Sequence, residues 1–508
     1  MKLGPKAAAA ALIVSAALAL TACGGGATGA NPAAAKTTTL TLGTVQEIRS
    51  WDPAQAHVGH ILQPYQAAYD SLLLRQPDGK LSPMLATAWK YNDTNTKLTL
   101  DLRTDVTFSD GAKFDAEAAK ANLDHFKTAN GPQMAQLTAV TGVTVVDADT
   151  IELNLTTPDP SLEFYLSQAA GLMGSPKALG TEAIKTEPVG SGPYVMDKAA
   201  TVKDSQSVFT ARKDYWNKDL QKFQKVTFKT LTDLTARTNA LVSGQVDATL
   251  LDPKTGKQAE GAKMTLAANQ VDWQGLLLMD RDGAKNAPLG NVKVRQAINY
   301  AFDRKTILEQ VLLGQGTPTS QPFGKESGAW TEELENYYSY DPAKAKQLLK
   351  EAGYETGVTL EVPSVPGFET QLAVVKQQLA DVGITLNVGS ALTNTFTSDI
   401  AAQKFTTMYF SLFQGEPWVA INQIVSTKAL YNAFKNTTPE LQAKIDAVQT
   451  GGKDAGKLAQ EVNKYVVEQA WFAPMFRVNQ MYYHNSKVTV TPQIQQAVPS
   501  IYNYAPAS

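Results

Sequence analysis

Val226-Thr227-Phe228-Lys229-Thr230, then Asp233 to Ser243, then Gly244, then Val246-Asp247-Ala248-Thr249-Leu250-Leu251, is the stretch whose reading decides the fold. The first run is β-branched and aromatic, as a strand requires. The second has helical periodicity, a glycine ends it, and a strand-like run with β-branched residues follows. The segment reads as a βαβ unit, so parallel strands joined by a right-handed crossover are expected. A second unit follows later in the chain: Val358–Val362, stopped by Pro363, a helix from about Glu369 to Val382, Gly383, and Ile384–Val388. Two such units imply two α/β lobes, although they are not a detectable sequence repeat.

Around these units the pattern keeps alternating between strands and amphipathic helices. Leu98, Leu100 and Leu102 alternate with polar residues, and Val106 and Phe108 lead into the turn Ser109-Asp110-Gly111. Asp115 caps a helix with Glu117 in its first turn and Ala119, Leu123 and Phe126 on one face. Ligands of open α/β sheets collect at the carboxyl ends of strands. That rule selects the loops Thr230–Thr232, Asp252–Lys254, Ser364–Phe368 and Phe413–Trp418, the last following the strand-like Phe405–Leu412. A cleft between two lobes, lined by these loops, is the expected site.

The chain has 508 residues, 43% hydrophobic and 19% charged, with a net charge of −2 and one cysteine. Its length suits about three domains at roughly 150 residues each. It is too apolar and too weakly charged for a disordered protein, and it lacks the basic excess of a nucleic-acid binder. One thiol cannot make an internal disulfide.

Residues 1–22 read as an export signal, with Lys2 and Lys6 before an apolar run from Ala7 to Leu20 that is too short to span a bilayer. Leu20-Thr21-Ala22-Cys23 resembles a bacterial lipobox, in which cleavage precedes the cysteine and the thiol is acylated. An ordinary signal peptide that happens to contain a cysteine is the plainer alternative. Residues 23–36, rich in Gly, Ala, Asn and Pro, read as a flexible tether. The folded body is therefore expected outside the cytoplasm, attached to the outer face of the cell membrane through Cys23.

Enzyme signatures are missing from the sequence. No Gly-Lys pair is followed by Ser or Thr as a phosphate loop requires, and neither a Gly-x-Ser-x-Gly elbow nor a His-Glu-x-x-His helix occurs. His57 and His60 lie three apart, short of the three or four ligands of a zinc site. Asp280 and Asp282 form the kind of pair common on loops. No cofactor, no metal and no catalytic residue are expected.

Several strings, taken together and in order, resemble the bacterial extracellular solute-binding family 5, the peptide, oligopeptide and nickel receptors of ATP-binding cassette importers. Leu81-Ser82-Pro83-Met84-Leu85-Ala86-Thr87-Ala88-Trp89, continued by Leu98–Arg103 and Val106–Gly111, is similar to the family's signature block. Trp51-Asp52-Pro53, Gly190-Ser191-Gly192-Pro193-Tyr194, Asp214-Tyr215-Trp216, Val294–Arg304 and Asp341-Pro342-Ala343-Lys344-Ala345 through Gly353-Tyr354 match in the same order. The last has an Asp N-cap, Pro at the first helical position and Gly after the last turn. Most of these motif residues are expected to be structural, with Trp89 and Trp216 filling core.

The resemblance implies a two-lobed type II periplasmic-binding (Venus flytrap) fold with an extra subdomain inserted in the larger lobe. Lobe I would comprise residues 37–74, 189–278 and 476–508, the subdomain 75–188 and lobe II 279–475, the chain crossing near Gly275–Asp280 and returning near Ala473–Gln480. It implies a monomer that closes on a small solute or peptide and delivers it to permease and ATPase subunits, making and breaking no bond. Glu47 stands at a spacing where some oligopeptide receptors present a ligand-contacting acid, and Trp273 is a candidate cleft aromatic. Phe413-Gln414-Gly415-Glu416-Pro417-Trp418 stands where many peptide-binding members carry an aspartate that pairs with a peptide's α-ammonium. Here Glu416 takes that place, so Phe413, Gln414, Glu416 and Trp418 are candidate contacts. The missing aspartate leaves non-peptide solutes (sugars, opine-like compounds, metal chelates) open beside peptides. A secreted hydrolase and a binding protein diverted to sensing are the further alternatives.

Overall fold

The computed structural model describes residues 37–392 and 395–507. The expected signal, tether and Cys23 lie outside the described residues. Among those described, no helix is long and apolar enough to cross a membrane.

The decisive segment forms the elements its pattern predicts: a strand Lys225–Thr230, a helix Leu234–Val242 and a strand Ala248–Leu251. The two strands are not neighbours. Thr39–Thr44 lies between them and pairs in parallel with both. Gly43 permits this insertion, because a Cβ there would stand 2.8 Å from Thr249 Oγ1, whose hydroxyl donates to the Gly43 carbonyl at 2.9 Å. In the second unit, Val358–Ser364 and Ile384–Ala391 are adjacent and parallel, with the helix Glu369–Ala380 between them in sequence. Pro363 does not stop the strand. The register slips between Val362 and Ser364, so the residue without an N–H falls where the ladder is irregular.

The large sheet runs, in spatial order, through Thr407–Phe413, Thr265–Leu278, Phe472–His484, Ala248–Leu251, Thr39–Thr44, Lys225–Thr230, Gln206–Ala211 and Tyr194–Met196, with Gly316–Pro318 added on Phe472–His484. A separate four-stranded antiparallel sheet is built from Ala86–Tyr91, Lys97–Leu102, Thr150–Leu155 and Val140–Asp147. Against it packs the helix Ala116–Thr128, capped by Asp115 at 2.9 Å from Ala118 N and burying Ala119, Leu123 and Phe126. Trp216 donates to Asp70 at 2.9 Å and is covered by Arg103 at 4.1 Å, a packing role.

The two long antiparallel strands, Thr265–Leu278 and Phe472–His484, join the halves of this sheet. Their ladder is interrupted between Gln270 and Asp272, opposite Asn479 and Val478, and again between Gln274 and Gly275. The buried apolar residues change company at the first of these. Ala267 lies before it; Tyr482 belongs to the core with Leu40, Phe209 and Phe228, and Met481 and Tyr483 to the one with Leu241 and Val246. Trp273, Leu276 and Leu278 after it pack with residues between 289 and 478.

Asp272 occupies this junction half-buried, and its carboxylate accepts no hydrogen bond from a described residue. Burial pushes it up to about 6 from its ordinary 3.8. A raised carboxyl favours the protonated folded state, so its penalty is absent below about pH 4 and fully present above about pH 6. Two pH units at 1.36 kcal/mol each set a ceiling of roughly 3 kcal/mol, reduced by solvent screening to about 1–2 kcal/mol. Asp272→Asn is therefore expected to exceed the wild type in urea stability by that amount at pH 7.5 and to match it at pH 4. An equal difference at both pH values would refute this assignment.

Candidate functional site

The loop after Thr407–Phe413 is fixed by its own backbone. Gln414 N donates to Val271 O at 3.1 Å, and Gln414 O accepts from Gly324 N at 2.8 Å. The Gln414 side chain packs so closely on Gly324 that a Cβ there would meet it at 2.7 Å. Its Oε1 is buried without a partner among the described residues. Pro417 then starts the helix Pro417–Ile424, and Glu416 is its N-cap, accepting from Val419 N at 2.8 Å.

Glu416 also accepts a short hydrogen bond from Ser161 Oγ, so it ties this loop to the segment Pro158–Tyr165. Two further bonds cross the same gap: Gln449 Nε2 to Pro158 O at 3.2 Å and Gln495 Nε2 to Glu326 O at 3.0 Å. Between these bridges lie two cavities. One, of about 410 Å³, is walled by Asn269, Gln270, Lys325, Gln414, Asn479 and Gln495 among others. The other, of about 340 Å³, includes Tyr91, Asp159, Glu163, Gln449 and Lys453.

The electrostatics of this gap are mixed. Burial raises Glu416, while Ser161, the helix N–H groups and Arg75 oppose that rise. Burial likewise pushes Asp159 up to about 6, with Glu416 adding to the effect. Arg75 is drawn down to about 10 by burial, with Glu416 acting against it, and stays protonated at neutral pH. A half-buried carboxyl and a buried guanidinium, on Glu416 and Arg75, thus lie near enough to interact beside this gap.

Gln414 and Glu416 are the sequence candidates that the structure brings to this gap. Phe413 is half-buried with its ring against Gly415. Trp418 is 7% exposed in a cluster with Leu412 and Ile421. Trp273 is 0% exposed, its ring 5.6 Å from Phe472, which leaves no face for a solute and makes it a core residue. Glu47 is exposed and is raised by its hydrogen bond to Asp204. Of the strand-end loops selected from the sequence, Phe413–Trp418 contributes to the larger cavity and the other three do not. Sequence reading missed Arg75, Ser161 and Gln495. Their only local mark is a charge closing the apolar run Leu72-Leu73-Leu74-Arg75. Among the described residues no group of three or more His, Cys, Asp or Glu could hold a metal ion.

The chain belongs to the bacterial extracellular solute-binding proteins, family 5, whose model matches residues 80–429. It is 31% identical over 337 residues to the glutathione-binding protein GsiB of Salmonella paratyphi A, a match covering 63% of each. The chain therefore spans less than two thirds of the length of this relative. Among solved structures, HbpA2 from Haemophilus parasuis superposes with a TM-score of 0.81 at 19% identity, covering 92% of this chain and 100% of that one. DppA from Helicobacter pylori, in complex with the peptide STSA, gives 0.75 at 19% identity, covering 93% of this chain and 99% of that one. The fold is the two-lobed type II periplasmic-binding fold of these proteins, and the family is one of receptors rather than enzymes.

Proposed function

We propose that this protein is an extracytoplasmic receptor that closes its two lobes around a peptide and presents it to an ATP-binding cassette permease. The observation that carries this reading is Glu416. It places a half-buried carboxylate at the head of the helix Pro417–Ile424, in the gap between the bridging segments, where a peptide's α-ammonium can pair with it. The relative named for binding glutathione and the fold-mate solved with a peptide point to the same solute class.

In this reading the inserted subdomain, residues 75–188, carries the four-stranded sheet. The hinge is assigned to the interruption between Gln270 and Asp272, a few residues ahead of the expected crossover, because the two cores exchange there. A bulge removes ladder hydrogen bonds and concentrates bending at one place. Closure is then a population shift, driven by the solute's greater affinity for the closed form.

A thermal-shift screen of peptides, sugars and metal chelates tests the solute class. A true solute at a hundredfold excess over its Kd stabilises by about 2.7 kcal/mol. Peptides are expected to raise Tm, and a response confined to sugars or chelates would overturn the peptide reading.

Cys23 is the proposed point of lipid attachment. Cys23→Ser is expected to abolish incorporation of labelled palmitate and to release the protein from the membrane fraction. Retention in that fraction with label still bound would refute the anchor.

A further inference from the structure

Arg75 ends the strand Leu73–Arg75 and is 5% exposed. Its Nη2 donates to Gln495 Oε1 at 2.7 Å, while Nε and Nη1 have no hydrogen-bond partner among the described residues. The ring of Phe164 lies 5.0 Å from the guanidinium carbon. No carboxylate of a described residue reaches ion-pair distance, although Glu416 is close enough to act on it electrostatically.

Other deeply buried arginines are provided for differently. Arg304 spends its three nitrogens on four carbonyls and Asn299 Oδ1. Arg477 is paired with Glu335 and also donates to Phe323 O at 2.7 Å, leaving its Nε without a partner among the described residues. A guanidinium offers five N–H donors in a plane, and leaving them buried and unmet is costly. Gln495, which holds Arg75, lines the larger interlobe cavity, and Glu163, next to Phe164, lines the smaller. Arg75 is thus joined to the wall of the first cavity through Gln495 and lies against Phe164, the neighbour of a residue that walls the second. Gln495 takes one Nη2 hydrogen, so a two-donor edge that includes the other Nη2 hydrogen remains. That edge matches a carboxylate in shape and charge.

We propose that Arg75 is the anchor for a carboxylate of the solute, bound between Phe164 and Gln495 in the gap that Glu416 also faces. This rests on the receptor reading and narrows it: the solute is zwitterionic, with an amine for Glu416 and a carboxylate for Arg75. An internal Arg75–Glu416 pair formed on closure is the competing use of the same charge.

The test follows the Arg75 ¹Hε–¹⁵Nε resonance of the full chain, assigned by its loss in Arg75→Lys, during titration with trialanine, trialanine amide, reduced glutathione and acetate. Trialanine or glutathione is expected to shift this resonance saturably, and the amide to leave it in place. Arg75→Lys is expected to weaken trialanine binding at least about thirtyfold, as loss of a buried charge pair does, and to change binding of the amide less than twofold. A saturable, Arg75-selective acetate shift without peptide binding would defeat the peptide reading and uphold the carboxylate anchor. The anchor is overturned if no carboxylate, acetate included, moves the resonance, or if amide and acid move it equally. It is also overturned if Glu416→Gln alone shifts the resonance while added carboxylates do not.

Discussion

Arg304→Met is expected to lower stability by at least about 3 kcal/mol, because it removes the donor that four backbone carbonyls share. Arg304 donates to Thr319 O, Pro474 O, Asn299 O and Tyr338 O at 2.8–3.1 Å and to Asn299 Oδ1 at 3.0 Å. Its side chain thus ties the helix end at Asn299 to the strand residue Pro474 and to Thr319 and Tyr338, with no carboxylate of a described residue at ion-pair distance. Each buried acceptor left unmet costs about 1–3 kcal/mol, partly offset because methionine needs no desolvation. Arg304→Lys keeps the charge but not the planar spread of donors, so it is expected to recover little of the loss. Urea titration measures both variants, and a loss below 1 kcal/mol for methionine would show that the network is dispensable.

Glu416→Ser separates the two roles of the loop. Serine still caps the helix Pro417–Ile424, so stability is expected to stay within about 0.5 kcal/mol of the wild type, whereas Glu416→Ala loses the cap at about 1 kcal/mol. Both remove the carboxylate. If that group meets a peptide's α-ammonium, affinity for a free-amine peptide falls by about 2–3 kcal/mol, or roughly 30- to 150-fold, in either variant. Calorimetric titration reads the affinity and urea unfolding the stability. A serine variant that binds like the wild type would remove Glu416 from the binding surface.

Much of the fold was legible because it is local. The βαβ segments, the Asp115 cap and the helix Pro342–Glu351 with Asp341 at its N-cap are specified within a dozen or so neighbouring residues, and each forms as its pattern requires. The placement of Thr39–Thr44 between the strands of the first unit was not legible, since nothing local in 226–251 marks which third strand enters. The arginines of Val294–Arg304 carried the family pattern without showing their use. Only the structure shows Arg295 donating to Gln469 O and Arg304 to Pro474 O, carbonyls far along the chain.

The site divides in the same way. Glu416 followed by Pro417 is a readable helix start, and its position after a strand end placed it in the gap. Trp273 read as a cleft aromatic because it precedes the crossover, but strand alternation turns it into the core beside Phe472. Arg75, Ser161, Gln449 and Gln495 come from four separate stretches and meet only through the tertiary arrangement, so no spacing in the sequence could assemble them.

The central claim is that this chain captures a peptide without altering it. Calorimetric titration with trialanine and reduced glutathione, followed by mass analysis of the recovered solute, tests it most directly. One binding site per chain, a micromolar or tighter Kd for at least one of them, and chemically unchanged solute are expected. Absence of binding heat up to millimolar concentration for both, or recovery of cleaved peptide, would contradict it.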